Sequence, residues 1–315
     1  NLGINTEHFN RTSPARADVL FVIDEDLYGY EKQLQNSSAA MLAAAQVSAL
    51  DAQLGVVNMY ENKGQLIGDA LNPRILTAQT PDLLGQLKKK FWTSGMGSGA
   101  EESFDPALVA LTAPTINAEN SGFLREDATL GIVTVTRSAD QSPLPVSHYH
   151  RRLRSLKGAQ QAQSFSFTTV GAYSLTSPVG CSYDTQGGDP RGAQLAELTG
   201  GLFEDVCSPD WPGMLSRVAR VAFGHRTGFA LKAVPDLTGG KIIGVKIAGV
   251  DVPASGAGGT AWTFDAVANA VQFAPLFVPS RNEPIAITYP VACLPCAHPA
   301  IRVASLSAAL TARAR

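Results

Sequence analysis

The chain has 315 residues, of which 45% are hydrophobic and 17% are charged, and its formal net charge is −2. This composition supplies a sizeable core and excludes an intrinsically disordered chain. The weak net charge and the short basic runs argue against a nucleic-acid partner. No apolar stretch reaches the ~20 residues that a membrane-spanning helix requires. We therefore expect a globular protein that binds no nucleic acid and has no membrane span.

Strands and helices are predicted to alternate through most of the chain. Residues 1–17 are polar and are predicted to form an N-terminal arm. Over residues 18–225, fully apolar runs are typical of parallel strands whose two faces are both covered. The predicted strands are 19–23, 54–60, 65–69, 130–136, 164–170 and 202–206, and the predicted helices are 30–50, 81–91, 101–113, 146–156, 192–198 and 211–223. This order predicts an α/β domain with a doubly wound, mostly parallel sheet.

A different pattern begins at residue 226. Short runs rich in β-branched and aromatic residues are separated by glycine, asparagine and proline turns. These runs are 229–234, 241–250, 261–264, 270–273 and 285–289. They predict a small antiparallel β-sandwich-like domain over residues 226–296. The C-terminal tail, 297–315, has the alanine, leucine and arginine content of a helix, and its sequence indicates no function.

Four cysteines bear on the compartment: Cys181, Cys207, Cys293 and Cys296. An even number without histidines at metal-binding spacing favours structural disulfides over a zinc site. Disulfides persist in oxidising compartments. We therefore expect an extracytoplasmic protein, either periplasmic, outer-membrane-associated or extracellular. A first residue other than methionine is compatible with a removed signal or lipid anchor.

Polar residues follow the apolar strands at the place where ligands bind in open α/β sheets, outside the carboxyl ends of the strands. Asp24, Asp26 and Tyr28 follow the first strand. Arg137 follows the strand that ends at residue 136, and Ser98 lies in a glycine-rich loop between the two. These five residues form the candidate binding rim.

The rim resembles the metal-ion-dependent adhesion site of von Willebrand factor A domains. In that family, an Asp-x-Ser-x-Ser motif, a hydroxyl from a second loop and an aspartate from a third loop hold Mg²⁺ among six oxygens. Asp24 stands at the position of the first aspartate, and Asp26 and Tyr28 stand at those of the two serines. Ser98 is the nearest hydroxyl in the second loop. Arg137 replaces the third-loop aspartate.

Further segments resemble a secreted or lipoprotein-like bacterial subgroup of these domains, and the resemblance spans roughly residues 15–295. The matching segments are 97–101, 122–128, 140–142, 195–201 and 207–211. The resemblance implies the α/β fold and a binding role for the rim.

The departures from the family motif imply a degenerate adhesion site. A guanidinium cannot ligate a cation and would repel it, and Tyr28 is too long for the geometry that serine supplies. We expect a metal-free rim in which Arg137 forms an ion pair with Asp24. Two alternatives remain: a vacant rim with Arg137 in solvent, and a Mg²⁺ or Ca²⁺ held by Asp24, Asp26 and Ser98.

The expected function is non-enzymatic, namely protein–protein interaction or a structural role in an extracytoplasmic or cell-surface assembly. The expected partners are one or more proteins, including the subunits of such an assembly. The first alternative is a metal-dependent, adhesin-like binder. The second is a hydrolase that uses Asp26 or Glu101 with a histidine, although the sequence offers neither a nucleophile elbow nor a phosphate-binding loop. His148 and His150 are too close in sequence for a helical metal pair.

Overall fold

The computed structural model describes most of the chain. The described residues are 3–9, 16–27, 29–45, 50–60, 64–69, 71–92, 100–157, 165–172, 189–224, 228–256, 259–266, 269–274, 277, 279 and 283–291.

These residues form two groups of strands. The first six strands after the N-terminal one are β2 (Arg16–Ile23), β3 (Asp51–Asn58), β4 (Leu76–Thr77), β5 (Thr129–Val135), β6 (Phe165–Gly171) and β7 (Phe203–Asp205). The remaining strands are β1 (Gly3–Phe9), β8 (Gly228–Ala230), β9 (Gly244–Ile247), β10 (Val250–Asp251), β11 (Ser255–Gly256), β12 (Gly259–Thr260), β13 (Trp262–Asp265), β14 (Ala270–Phe273) and β15 (Ile285–Val291).

All the described α-helices belong to the first part of the chain. They are α1 (Tyr30–Ala44), α2 (Leu83–Lys90), α3 (Phe104–Ala110), α4 (Val146–Ser155), α5 (Pro190–Thr199) and α6 (Trp211–Ala222). Short 3₁₀ segments occupy Thr115–Asn117 and Thr238–Gly240. Among the described helices, none is both long and apolar enough to cross a membrane.

The main sheet has six strands in the order β4-β3-β2-β5-β6-β7. Its strands pair in parallel, except that β4 runs antiparallel to β3. The predicted mostly parallel α/β sheet is confirmed. Because β2 lies in the middle, the chain builds the sheet first on one side and then on the other, which defines a doubly wound arrangement.

Both faces of the main sheet are covered, which explains the continuous apolar run of β2. Phe21 and Ile23 point into one core cluster with residues of α1, α2 and α6. Leu20 and Val22 point into a second cluster with residues of α3, α4 and α5. Successive side chains of a strand point to opposite faces, so a strand between two helical layers must be apolar throughout.

The predicted strand at residues 65–69 is absent among the described residues, and the short β4 pairs with that edge of β3 instead. The Asn120 side chain supplies the physical reason. Its amide donates to the carbonyl of Gly64, and its oxygen accepts from the N–H of Leu66 at 2.9 Å. The Ile67 N–H still donates to the Val56 carbonyl of β3 at 2.8 Å. The stretch therefore keeps one backbone hydrogen bond to β3, while the Asn120 side chain satisfies the neighbouring backbone groups.

The C-terminal part is antiparallel. One sheet has the order β1-β15-β9-β10, another has the order β13-β14-β8, and β11 pairs with β12. Residues of the two larger sheets share one hydrophobic cluster, to which Phe229, Trp262 and Tyr289 contribute. The predicted antiparallel character is present.

The N-terminal strand β1 lies within the stretch 1–17 that was predicted to be an arm, and it pairs with β15 over seven residue positions. Buried Glu7 accepts hydrogen bonds from the Tyr289 hydroxyl and from the backbone N–H of Lys232. Each face of this strand carries a single large apolar residue, Ile4 on one face and Phe9 on the other. The alternation of apolar and polar residues that predicts a strand is therefore missing from the sequence. The predicted boundary at residue 225 and the tail 297–315 lie outside the described residues.

Candidate functional site

The candidate rim lies where the strand order of the main sheet reverses. The central strand β2 has β3 on one side and β5 on the other. Loops that leave the carboxyl ends of two such strands diverge and leave a crevice between them. Asp24 follows β2 and Thr136 follows β5, so these two residues flank the crevice.

Asp24 is the structural centre of the rim. It is 1% exposed, and its backbone N–H donates to the carbonyl of Val135 at 3.0 Å. Its Oδ1 accepts from the backbone N–H of Asp26 at 2.7 Å. Its Oδ2 accepts from the Thr136 hydroxyl at 2.8 Å and from the Arg137 backbone N–H at 3.3 Å. Both oxygens of this buried carboxylate are therefore engaged by protein donors, which offsets the cost of its burial.

Glu25 ties the rim to the next loop. It is 1% exposed, and its two carboxylate oxygens accept from the backbone N–H of Tyr60 at 3.0 and 3.2 Å. Tyr60 follows β3, and the backbone N–H of Met59 donates to the carbonyl of Ile23. The turn after β2 is thereby fixed to the turn after β3.

Glu101 is a further member of this cluster. It is the first residue of the predicted helix 101–113 and belongs to the hydrolase alternative. Burial, the charge of Asp24 and a hydrogen bond to Asp24 raise the pKa of Glu101 to about 8, with further contributions from Glu25 and Asp26. A carboxyl with this pKa is protonated at neutral pH, so the Glu101 O–H donates a hydrogen bond to the Asp24 carboxylate. The sequence signal was present, because Glu101 ends the second-loop segment 97–101 that resembles the adhesion-domain subgroup.

Arg137 is buried, with 5% of its surface exposed. Its positive charge lowers the pKa of Asp26, but burial and the charge of Asp24 outweigh this effect, and the pKa of Asp26 is raised overall. The described contact between Arg137 and Asp24 runs through the arginine backbone N–H. The expected guanidinium–Asp24 ion pair stays a prediction.

The loop that carries Glu101 is held against the loop after β5. The Asp140 carboxylate accepts from the Ser103 backbone N–H at 2.8 Å and from the Ser142 hydroxyl at 2.6 Å. The Ser142 hydroxyl in turn accepts from the Phe104 N–H at the start of α3. Arg191 places its Nε 2.8 Å from Asp140 Oδ2. Contacts between these two loops therefore hold Glu101 in its position.

Another buried carboxylate, Asp189, supports this network from the start of α5. It accepts from the Gly192 N–H at 2.9 Å and from the Asp140 N–H at 3.2 Å. Burial, as the largest cause, raises the pKa of Asp189 to about 6, and the charge of Asp140 acts in the same direction. Asp189 is thus a helix cap that also orients Asp140.

Two of the predicted rim residues, Tyr28 and Ser98, lie outside the described residues. Within the described part of the chain, no group of three or more His, Cys, Asp or Glu side chains is arranged to hold a metal ion. Since a complete site would include Tyr28 and Ser98, the metal content of the rim stays a prediction. Of the cysteines, Cys207 follows β7, and Cys181, Cys293 and Cys296 lie outside the described residues, so disulfide pairing also stays a prediction.

The histidines relevant to the hydrolase alternative lie apart in the fold. His8 is exposed on β1 of the C-terminal sheet, and His148 and His150 lie on α4. No hydrogen bond among the described residues joins a histidine to Asp24, Asp26 or Glu101. His225 and His298 are outside the described ranges.

A comparison with protein-family models gives no match, and neither does a comparison with curated proteins. Similar solved structures include proximal thread matrix protein 1 from the mussel byssus, with 13% identity and a TM-score of 0.44 over 71% of this chain and 51% of that one. A form of that protein with a zinc-occupied MIDAS motif gives 12% identity, a TM-score of 0.41 and the same coverage.

The pilus adhesin SpaC from Lactobacillus rhamnosus GG is also similar, with 11% identity and a TM-score of 0.45 over 91% of this chain and 41% of that one. This chain therefore spans about half or less of the length of the solved proteins that it matches. Such identities and TM-scores transfer neither a ligand nor a metal to it.

Proposed function

We propose that this chain is a non-enzymatic protein-interaction module or structural subunit of an extracytoplasmic or cell-surface assembly, and that its rim binds a protein partner without a bridging metal. The observation that carries the proposal is the state of the Asp24 carboxylate. Asp26, Thr136 and Arg137 donate to its two oxygens. These donors occupy three of the about four acceptor sites of a carboxylate, and Glu101 is hydrogen-bonded to Asp24 as well. A cation that used Asp24 as a ligand would therefore compete with protein donors.

The remaining residues of the rim also fit Mg²⁺ poorly. Mg²⁺ requires near-octahedral oxygen ligation, whereas Arg137 brings a buried positive charge to the place of the third-loop aspartate. The Glu101 carboxyl, whose pKa is raised to about 8, is hydrogen-bonded to Asp24. We infer that hydrogen bonds, including the one between Glu101 and Asp24, hold the loops of the rim together in place of a metal ion.

Calorimetric titration of the full chain with Mg²⁺, Mn²⁺ and Ca²⁺ tests the metal-free rim. We expect no saturable heat for the wild type or for Asp24→Asn, because no ion replaces the protein donors. Saturable binding of one of these ions that Asp24→Asn abolishes would overturn this part of the proposal.

The interaction role is tested with the immobilised full chain and an extract of its native source. We expect one partner protein, or a defined set, to be retained equally well with excess Mg²⁺ and with EDTA. Retention of no specific protein in either condition contradicts a binding role, and retention in Mg²⁺ alone contradicts metal-free docking. The Arg137→Asp variant serves as a probe, since it replaces the buried cation with the carboxylate that the family motif has at the third-loop position.

A second candidate, a metal-dependent adhesin-like binder, is favoured by one observation. Asp24, Glu25, Asp26 and Glu101 place four acidic side chains near one another, and their mutual repulsion is part of what raises the pKa of Glu101 to about 8. A cation held by Asp24, Asp26 and Ser98 would relieve that repulsion. The decisive result is an ion that binds tightly to the wild type and whose removal by EDTA abolishes partner binding.

A further inference from the structure

A groove opens beside the rim and is not part of it. Its volume is about 480 Å³, and it is lined by Met59, Tyr60, Ala100, Glu102, Asp105, Pro106 and Val109. This volume is in the range of about 300–1,000 Å³ that is typical of binding pockets. Tyr60 is held by Glu25, and Ala100 precedes Glu101, so the groove and the rim share two loops.

The lining combines an apolar wall with negative charge. Met59, Ala100, Pro106 and Val109 supply the apolar part, and the described lining residues include two carboxylates and no cationic side chain. The Asp105 carboxylate accepts from the Tyr149 hydroxyl at 3.1 Å, which is a neutral donor. Its charge is therefore not cancelled by this contact.

Glu102 shows the effect of this unbalanced charge. Burial raises its pKa, and the charges of Asp105 and Asp140 raise it further. The nearby guanidinium of Arg191 is placed on Asp140, at 2.8 Å from Oδ2. A positive charge that entered the groove would be attracted by the carboxylates of both Glu102 and Asp105 and would reduce the repulsion between them.

The mouth of the groove also offers an aromatic surface. Tyr60 is 47% exposed, although its backbone is fixed by Glu25. An aromatic ring on a fixed backbone contacts a partner at a low cost in conformational entropy, and its face attracts cations. The groove thus combines an apolar wall, two carboxylates and an exposed aromatic ring. This combination fits a long side chain with an aliphatic stem and a cationic end.

We propose that this groove binds a lysine or arginine side chain of the partner protein, with its stem against Met59 and Val109 and its charge at Glu102 and Asp105. The inference rests on the proposed interaction function and specifies the chemistry of the partner. It predicts that recognition at this edge of the sheet uses a cation from the partner.

The probe is a fluorescent peptide with an arginine between two leucines, compared by anisotropy with peptides that carry lysine, citrulline or glutamate in its place. We expect the arginine and lysine peptides to bind the full chain, and the citrulline peptide to bind about tenfold or more weakly, since it keeps the shape and loses the charge. Equal binding of the arginine and citrulline peptides would overturn the proposal.

The matched variants are Glu102→Gln with Asp105→Asn, which removes both charges and keeps the acceptor for Tyr149, and Glu197→Gln, which removes an exposed carboxylate on α5. We expect the double variant to lose about tenfold or more of its affinity for the arginine peptide, and Glu197→Gln to keep the wild-type affinity. Ala100→Leu, at an exposed position, narrows the groove without a charge change and should also weaken binding. Unchanged affinity in both groove variants contradicts the proposal.

Binding of the natural partner to the wild type and to the double variant distinguishes a failure of the groove proposal from a failure of the proposed function. If the partner binds the wild type and the double variant equally, the groove inference fails and the interaction role stands. If the immobilised wild type retains no specific protein, the interaction role itself fails, whatever the peptides do.

Discussion

The Glu101 carboxyl is hydrogen-bonded to the Asp24 carboxylate, and this pair joins the second loop of the rim to the end of the central strand. Two carboxyl groups in this arrangement share one proton, because two full negative charges at contact distance repel strongly in a poorly solvated place. The pair therefore makes the rim sensitive to proton concentration.

The first prediction is a change of stability with pH that depends on Glu101. Its pKa is raised from 4.5 to about 8 in the folded chain, so the folded state binds more protons than the unfolded state between these values. Stability from this group is fully present below pH 4.5 and is lost as the pH rises through 8.

We expect Glu101→Gln to flatten the fall of the melting temperature over this interval, because glutamine cannot lose the proton. Thermal unfolding of both proteins across the interval is the measurement, and Glu197→Gln on α5 is the control. Parallel profiles for wild type and Glu101→Gln would show that the shared proton does not contribute.

The second prediction concerns the donor that Thr136 gives to Asp24. Thr136→Val keeps the shape and removes the hydroxyl, so a buried charged carboxylate loses one of its donors. Hydrogen bonds to charged groups contribute about 1.5–3 kcal/mol. We therefore expect a loss of about 2 kcal/mol in the free energy of unfolding, measured with urea.

Thr134→Val is the matched control for Thr136→Val. The Thr134 hydroxyl lies on the same strand and bonds to the Thr169 hydroxyl at 3.2 Å, which is a neutral partner. We expect a loss of about 1 kcal/mol for this variant. If Thr134→Val cost more than Thr136→Val, the Asp24 carboxylate would not be the charged centre of the rim.

The third prediction concerns the opposite edge of the main sheet. The Nε of Arg125 lies 2.7 Å from Oδ1 of fully buried Asp18, and one terminal nitrogen lies 2.7 Å from Asp51. Arg125→Met leaves Asp18 buried without its cation. Such losses cost about 3–5 kcal/mol, and we expect a decrease of about 3 kcal/mol in the free energy of unfolding.

The control for Arg125→Met is Arg16→Met. Arg16 pairs with Asp51 and Asp127, but both of its partners are more than half exposed. Exposed ion pairs contribute little to stability. Urea unfolding should therefore separate the two variants clearly, and equal losses would refute the role of Arg125 as the partner of buried charge.

The fourth prediction concerns the compartment. We expect Cys207 to be linked to another cysteine in the protein as it is made by its source, and Cys181 is the first partner to test. Peptide mapping by mass spectrometry, with and without reduction, is the measurement. An unlinked Cys207 after alkylation of the native protein would remove the support that the cysteines give to an oxidising compartment.

Several features of the fold followed directly from the sequence. The run 19–23 is apolar at every position and predicted a strand covered on both faces, and β2 is that strand. The alternation of strands and helices predicted the doubly wound sheet, whose switch point puts Asp24 and Arg137 at one crevice. Local sequence suffices for these features, because the short length of the apolar runs and their alternation with helical stretches favour strands covered on both faces.

Other features were decided only by tertiary structure. β1 became a strand because a partner distant in sequence, β15, pairs with it. The stretch 65–69 keeps one backbone hydrogen bond to β3, from the Ile67 N–H to the Val56 carbonyl, and its Leu66 N–H bonds to the Asn120 side chain instead. Glu101 joined Asp24 because Asp140 and Ser142 fix the loop that carries it. Long-range hydrogen bonds and burial have no periodic signature in the sequence, so the proton shared by Glu101 and Asp24 is a property of the folded chain alone.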